Sequence, residues 1–178
     1  MLEVNYDSHL NYFLKNKTGY FSLAKNKEEA NFISRLVSQD GQLSRWTAFR
    51  NSVLSKLPEY NIEILEKEFY SFYGMAQSYQ TWKDAQRDKE FFPYLKYDAV
   101  KDGETCPTCK KLNNLIKPID DSFWDVYFPP NCESCRCIVI KIDKYDKVRV
   151  IDLSKKILLR PIDKYAINVG KHELTLPY

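Results

Sequence analysis

The sequence predicts an α+β protein: a helical N-terminal half of about three helices packed on a small, mostly antiparallel sheet, with a pair of cysteine-rich loops. Three observations predict it. Apolar residues recur at three and four positions up to about residue 91, and at every second position after Pro93. Asp40-Gly41, Pro58 and Phe92-Pro93 interrupt the helical pattern. Gly is scarce, 5 of 178 residues, which disfavours a turn-dense β-sandwich and any Gly-rich phosphate loop.

Residues 1–26 mix Asn, Lys, Tyr and Phe without a period and read as an irregular arm. Asn26, followed three residues later by Glu29, resembles a capping box with Asn in the usual Ser or Thr role. Ala30, Ile33, Leu36 and Val37 then form one apolar face, and Asp40-Gly41 breaks that helix. Trp46, Phe49, Val53 and Leu57 mark a second helix, ended by Pro58. Asn61 can cap a third, whose stripe of Leu65, Phe69, Phe72, Ala76, Tyr79 and Trp82 runs toward residue 90 and reads as core. Beyond Pro93 the pattern predicts strands over residues 94–100, 138–142 and 147–153, with a turn at Asp102-Gly103 and another around Lys144-Tyr145-Asp146. One or two more short strands are expected around Pro161 and Gly170. The organisation that follows is an arm (1–26), a helical plus cysteine-rich domain (27–153) and a C-terminal extension (154–178).

Composition narrows the function classes. Apolar residues make up 44%, which excludes a wholly disordered chain, and 13 Tyr with 10 Phe predict a core built on large rings. A net charge of +3 gives no reason to expect nucleic acid as a partner. No apolar run approaches the roughly 18–20 residues that span a membrane. The start carries neither a basic nor an apolar leader region, so a reducing, cytosolic compartment is expected.

All 5 Cys lie in Cys106-Pro107-Thr108-Cys109 and Cys132-Glu133-Ser134-Cys135-Arg136-Cys137. Two Cys at i and i+3 on a tight turn can aim both sulfurs at one point about 2.3 Å away, and a second pair closes a tetrahedron around Zn²⁺. The 22 residues between the pairs slightly exceed the usual spacing of about 15–20. One Zn²⁺ is expected on Cys106, Cys109, Cys135 and either Cys132 or Cys137, in a closed site with no position for substrate. Reduced structural thiols, or one or two disulfides, are the alternatives. A thiol oxidoreductase would place such a pair at the start of a helix in a βαβ unit. Residues 112–118 read instead as turn and then strand, with no helix after Cys109.

Other candidates carry less. His9 and His172, the only histidines, lie far from the cysteines in sequence and read as exposed. Asp120-Asp121 reads as a cap or turn before Ser122-Phe123-Trp124, and Lys110-Lys111 as a solvated step. Between the cysteine groups runs the tract from Phe123 to Pro130. Trp124 and Phe128 either close the core or, with Tyr127, anchor a partner. No catalytic or small-molecule site is legible.

Three pieces of the region from Phe91 to Cys137 are distinctive together. They are the strand and Asp-Gly turn before Cys106, the segment Pro118-Ile119-Asp120-Asp121-Ser122-Phe123-Trp124, and Tyr127-Phe128-Pro129-Pro130-Asn131 running into Cys135-Arg136-Cys137. Upstream, Leu65-Glu66-Lys67-Glu68-Phe69 with Ala76 and Trp82 fits the same pattern. Over roughly residues 20–145 the chain resembles the phage Mu protein F-like family of head morphogenesis, or minor capsid, proteins, especially those of prophage-like elements in gut bacteria. Many relatives carry Gly or His in place of Cys132, and Arg-Pro-Glu-His in place of Cys106 to Cys109, so a metal site here would belong to a subset. The resemblance implies a structural protein of virion assembly, not an enzyme, that contacts phage portal or capsid proteins in the host cytoplasm and the virion. A zinc-stabilised nucleic-acid-binding module and a toxin-like enzyme domain are the rival expectations.

Overall fold

A computed structural model describes residues 21–39, 42–133, 135–146 and 168–171. These residues fall into two compact units that divide inside the longest helix, between Ala76 and Gln77.

In the first unit, α1 spans Lys27–Val37. Its start is capped as the sequence predicts: Asn26 Oδ1 accepts from the Glu29 N–H at 2.9 Å, and Glu29 Oε2 accepts from the Lys25 N–H at 2.8 Å. Ala30, Ile33 and Val37 are buried on one face. The helix passes directly into a two-residue strand, β1 (Ser38–Gln39), paired antiparallel with β2 (Gln42–Leu43), a small ladder that no periodicity announces. Asp40 and Gly41 lie outside the described residues. Helix α2 (Trp46–Lys56) buries Phe49 and Val53. Helix α3 (Ile62–Arg87) starts where Asn61 Oδ1 accepts from the Ile64 N–H at 3.0 Å. Phe49 and Phe69 meet with ring centroids 4.7 Å apart, and Phe21 lies 6.0 Å from both Phe49 and Phe72. Each such fully buried large side chain contributes about 1.5–3 kcal/mol.

The second unit begins with the last turns of α3, whose Trp82 and Ala85 join a core with Leu95, Tyr97, Leu112, Trp124 and Phe128. Strand β3 (Tyr94–Asp98) is the centre of a three-stranded antiparallel sheet, flanked by β4 (Ile116–Pro118) and β5 (Ile138–Ile142). Its alternation is as predicted, with Leu95 and Tyr97 fully buried. Among the described residues the third strand is residues 116–118, the strand-like end of the segment 112–118; the strand expected at residues 147–153 lies outside the described residues. Helix α4 (Pro107–Leu112) precedes β4, and α5 (Phe123–Tyr127) follows it. Asn114, at φ 62°, makes the reversal between α4 and β4, and its N–H donates to the Tyr97 carbonyl at 2.8 Å. Asp121 Oδ1 accepts from the Phe123 N–H at 2.8 Å, the turn role read for the Asp pair. Around Gly170 the described residues form a turn rather than a strand, seated by Asn168 N–H donating to the Asp125 carbonyl at 2.9 Å.

Candidate metal centre

The first cysteine pair stands on a helix start. Cys106 is the N-cap of α4 with extended backbone (φ −64°, ψ 155°), and Pro107 takes the first helical position. The Cys109 N–H donates to Cys106 Sγ at 3.5 Å. Cys109 and Leu112, three residues apart on α4, both turn inward and are fully buried. This corrects the expectation that no helix follows Cys109: six residues suffice for one, too few for a hydrophobic period to reveal. The thiol oxidoreductase arrangement is still not met in this sheet, because β3 pairs antiparallel with both neighbours and no βαβ unit is formed.

The second group arrives along another route. The buried Phe128, Pro129 and Pro130 lead to Asn131, and the Cys135 N–H closes a turn onto the Cys132 carbonyl at 3.3 Å. Strand β5 then pairs Ile138 with Asp98. That register places the residues just before β5 beside those just after β3. Arg136 pairs with Asp102 at 2.5 Å, joining the two cysteine loops, and Asp102 also accepts from Thr105 Oγ1 at 3.0 Å.

The structure thus brings all five predicted cysteines to one small concavity. The sulfurs of Cys106, Cys109 and Cys132 lie within 4.8 Å of one another, as do those of Cys109, Cys135 and Cys137. All five are free thiols. Cys109 and Cys135 approach to 3.7 Å. That is far beyond the roughly 2.05 Å of a disulfide. It matches the edge of about 3.8 Å that a tetrahedron of Zn–S bonds near 2.3 Å requires.

Electrostatics supports the same fit. Hydrogen bonds from Cys109, Cys132 and Cys137 hold the Cys135 thiol well below the ordinary thiol range. Cys109 is pushed up, first by its bond with Cys132 and then by Cys135; Cys137 is pushed up by Cys109 and Cys135. At Cys132 the bond with Cys109 pulls down, but Cys135 and burial outweigh it and the thiol rises. A set of thiolates gathered at one point selects a soft divalent ion.

The aromatic tract divides. Trp124 and Phe128 are 0% and 1% exposed, placed as the core alternative describes. Trp124 Nε1 donates to the Pro118 carbonyl at 2.8 Å, and Phe128 meets Trp82 edge-on at 5.2 Å. Tyr127 is half-buried and stacks on Phe123 with centroids 4.8 Å apart. His9 and His172 lie outside the described residues. Two residues that the sequence did not mark also belong to the centre. Tyr97 donates its hydroxyl to Cys109 Sγ at 3.2 Å, and Asn131 Nδ2 donates to the Tyr97 oxygen at 2.8 Å. A Tyr in a strand pattern and an Asn after Pro-Pro carry no local signal of such a role.

Fold and site together define a class: an α+β protein whose sheet-bearing unit is gathered around a cluster of cysteine thiols. Residues 63–140, which contain the whole cluster, match the family described as "Phage Mu protein F like protein". The chain is 44% identical over 50 residues to the "Putative capsid assembly protein F" of Escherichia phage Mu, covering 28% of this chain and 11% of that protein. It is 27% identical over 128 residues to the "Mu-like prophage FluMu F protein" of Haemophilus influenzae, covering 70% of this chain and 30% of that protein. The matched stretches are therefore less than a third of either relative's length. No solved structure matches the chain with significance.

Proposed function

We propose that this chain is a structural protein of phage or prophage head morphogenesis, acting by protein–protein contacts with portal or capsid proteins. The observation that carries the proposal is the family match over residues 63–140, which takes in the second half of the fold from α3 to β5. In this proposal a structural Zn²⁺ is held by cysteines drawn from Cys106, Cys109, Cys132, Cys135 and Cys137. The metal supplies a cross-link between two loops that are distant in sequence, and with it folding free energy. It holds in place the segment that carries Tyr127, the least buried aromatic of the tract between the cysteine groups and the one we assign to partner contact. The chain works without catalytic turnover, in the host cytoplasm and then in the particle.

Two observations speak for this role over a nucleic-acid module. The net charge is +3, and Arg136, the basic residue lining the concavity of the five cysteines, is engaged by Asp102. The test is co-expression of the tagged chain with the portal and capsid proteins of the phage or prophage that encodes it. The expected result is co-purification with one of them, and zinc at one equivalent in protein kept reduced. No association under assembly conditions, together with tight nucleic-acid binding that weakens steeply with salt, would overturn the assembly role in favour of the module.

A further inference from the structure

Cys109 is the sulfur shared by both groups of three, so the support of that one side chain bears on the whole centre. A buried polar chain reaches it. Asn131 is 1% exposed, and its Nδ2 donates to the main-chain carbonyl of Tyr127 at 3.0 Å and to the Tyr97 hydroxyl at 2.8 Å. A carbonyl can only accept, so Tyr127 settles which way the Asn131 amide faces, and both amide protons are then in use. The Tyr97 oxygen is consequently an acceptor toward Asn131. Its single proton is directed to Cys109 Sγ, 3.2 Å away, in a place where Tyr97 has no exposed surface.

We propose that Tyr97 and Asn131 are positioning residues of the metal centre, Tyr97 donating a hydrogen bond to the Cys109 sulfur and Asn131 holding the hydroxyl in that direction. This rests on the thiols being a metal centre. An O–H to a metal-bound thiolate is a charge-assisted hydrogen bond. It pins the sulfur's rotamer and withdraws part of its charge. Tyr97 lies on β3 while Asn131 precedes the second cysteine group, so the same chain of donors ties both loops to the sheet before a metal arrives.

The test uses the full chain, reduced, with Co²⁺ as a visible probe and Zn²⁺ by chelator competition. Tyr97→Phe keeps the ring and removes only the hydroxyl. The expected result is a metal affinity about 10–100-fold weaker than wild type, with the sulfur-to-cobalt charge-transfer band moved to longer wavelength as the sulfur regains charge. Asn131→Ala, which frees the hydroxyl to turn, is expected to move both in the same direction by less. Leu95→Val, a packing change beside Tyr97 on the same strand, is expected to leave the band in place. Tyr97→Phe with affinity and band unchanged overturns the assignment, as does an equal band shift in Leu95→Val. Wild-type protein that takes up neither ion overturns the metal centre itself, an outcome distinct from failure of the Tyr97 role alone.

Discussion

Asp88 accepts from Arg87 Nε at 2.8 Å and from Lys141 Nζ at 2.6 Å, tying the end of α3 to β5. The Arg87 guanidinium first, and then the Lys141 ammonium, hold its carboxyl down to about 2 from an ordinary 3.8. A folded-state value below the unfolded one means that the stabilisation is complete above the unfolded value and is lost as pH falls through the folded one. Asp88→Asn is therefore expected to destabilise at neutral pH by about 1 kcal/mol or less, as partly exposed ion pairs do. The gap between variant and wild type closes between about pH 4 and 2. Urea midpoints of the two proteins across that range check it, since the other groups that titrate there are common to both. A gap independent of pH would mean that Asp88 acts through packing alone.

At the scale of elements, the turn Asn168–Lys171 packs against the last turns of α3 without any side chain at its tip. A Cβ placed on Gly170 would stand 2.3 Å from the Cβ of Trp82, the root of that side chain and not a movable end. Trp82 cannot retreat, because its ring is packed edge-on against Phe128 at 5.2 Å. Gly170→Ala should cost about 1–3 kcal/mol as overpacking, a fall of roughly 2–4 °C in midpoint per kcal/mol for a protein of this size. A thermal scan of the reduced variant beside wild type reads it directly. An unchanged midpoint would show that the turn is not seated on Trp82.

Across the whole molecule the cysteines are unevenly placed. All five fall in the second of the two units, and the first carries none. Removing a structural metal should therefore loosen one unit selectively. With a chelator under reducing conditions, amide exchange is expected to quicken over residues 94–142, while protection in α1 and α2 changes little. Added Zn²⁺ should restore the slow exchange, and Cys109→Ser should make the protein indifferent to both treatments. Equal loosening of both units, or none, would argue against a metal acting as a local cross-link.

How much was legible follows the range of the interactions involved. The three long helices could be read because their signals are local: a cap such as Asn26 or Asn61, a stripe such as Leu65 to Trp82, a Pro at the end. The cysteine pairs could be read because two sulfurs at i and i+3 need only one turn to converge. Helix α4 could not, since six residues opening on Cys-Pro hold too little of a period, whereas β4 was legible as the strand-like end of residues 112–118, though not as a member of the sheet. Sequence alone determined the fold class, the family resemblance and which five cysteines are candidates for a metal centre. Tertiary structure alone decided that both cysteine groups meet, through the register of Ile138 on Asp98, and that Tyr97 finds Asn131 from 34 residues away. Such pairings depend on strand register and on which buried donor is left needing an acceptor, and neither is written within the few residues over which sequence periodicity extends.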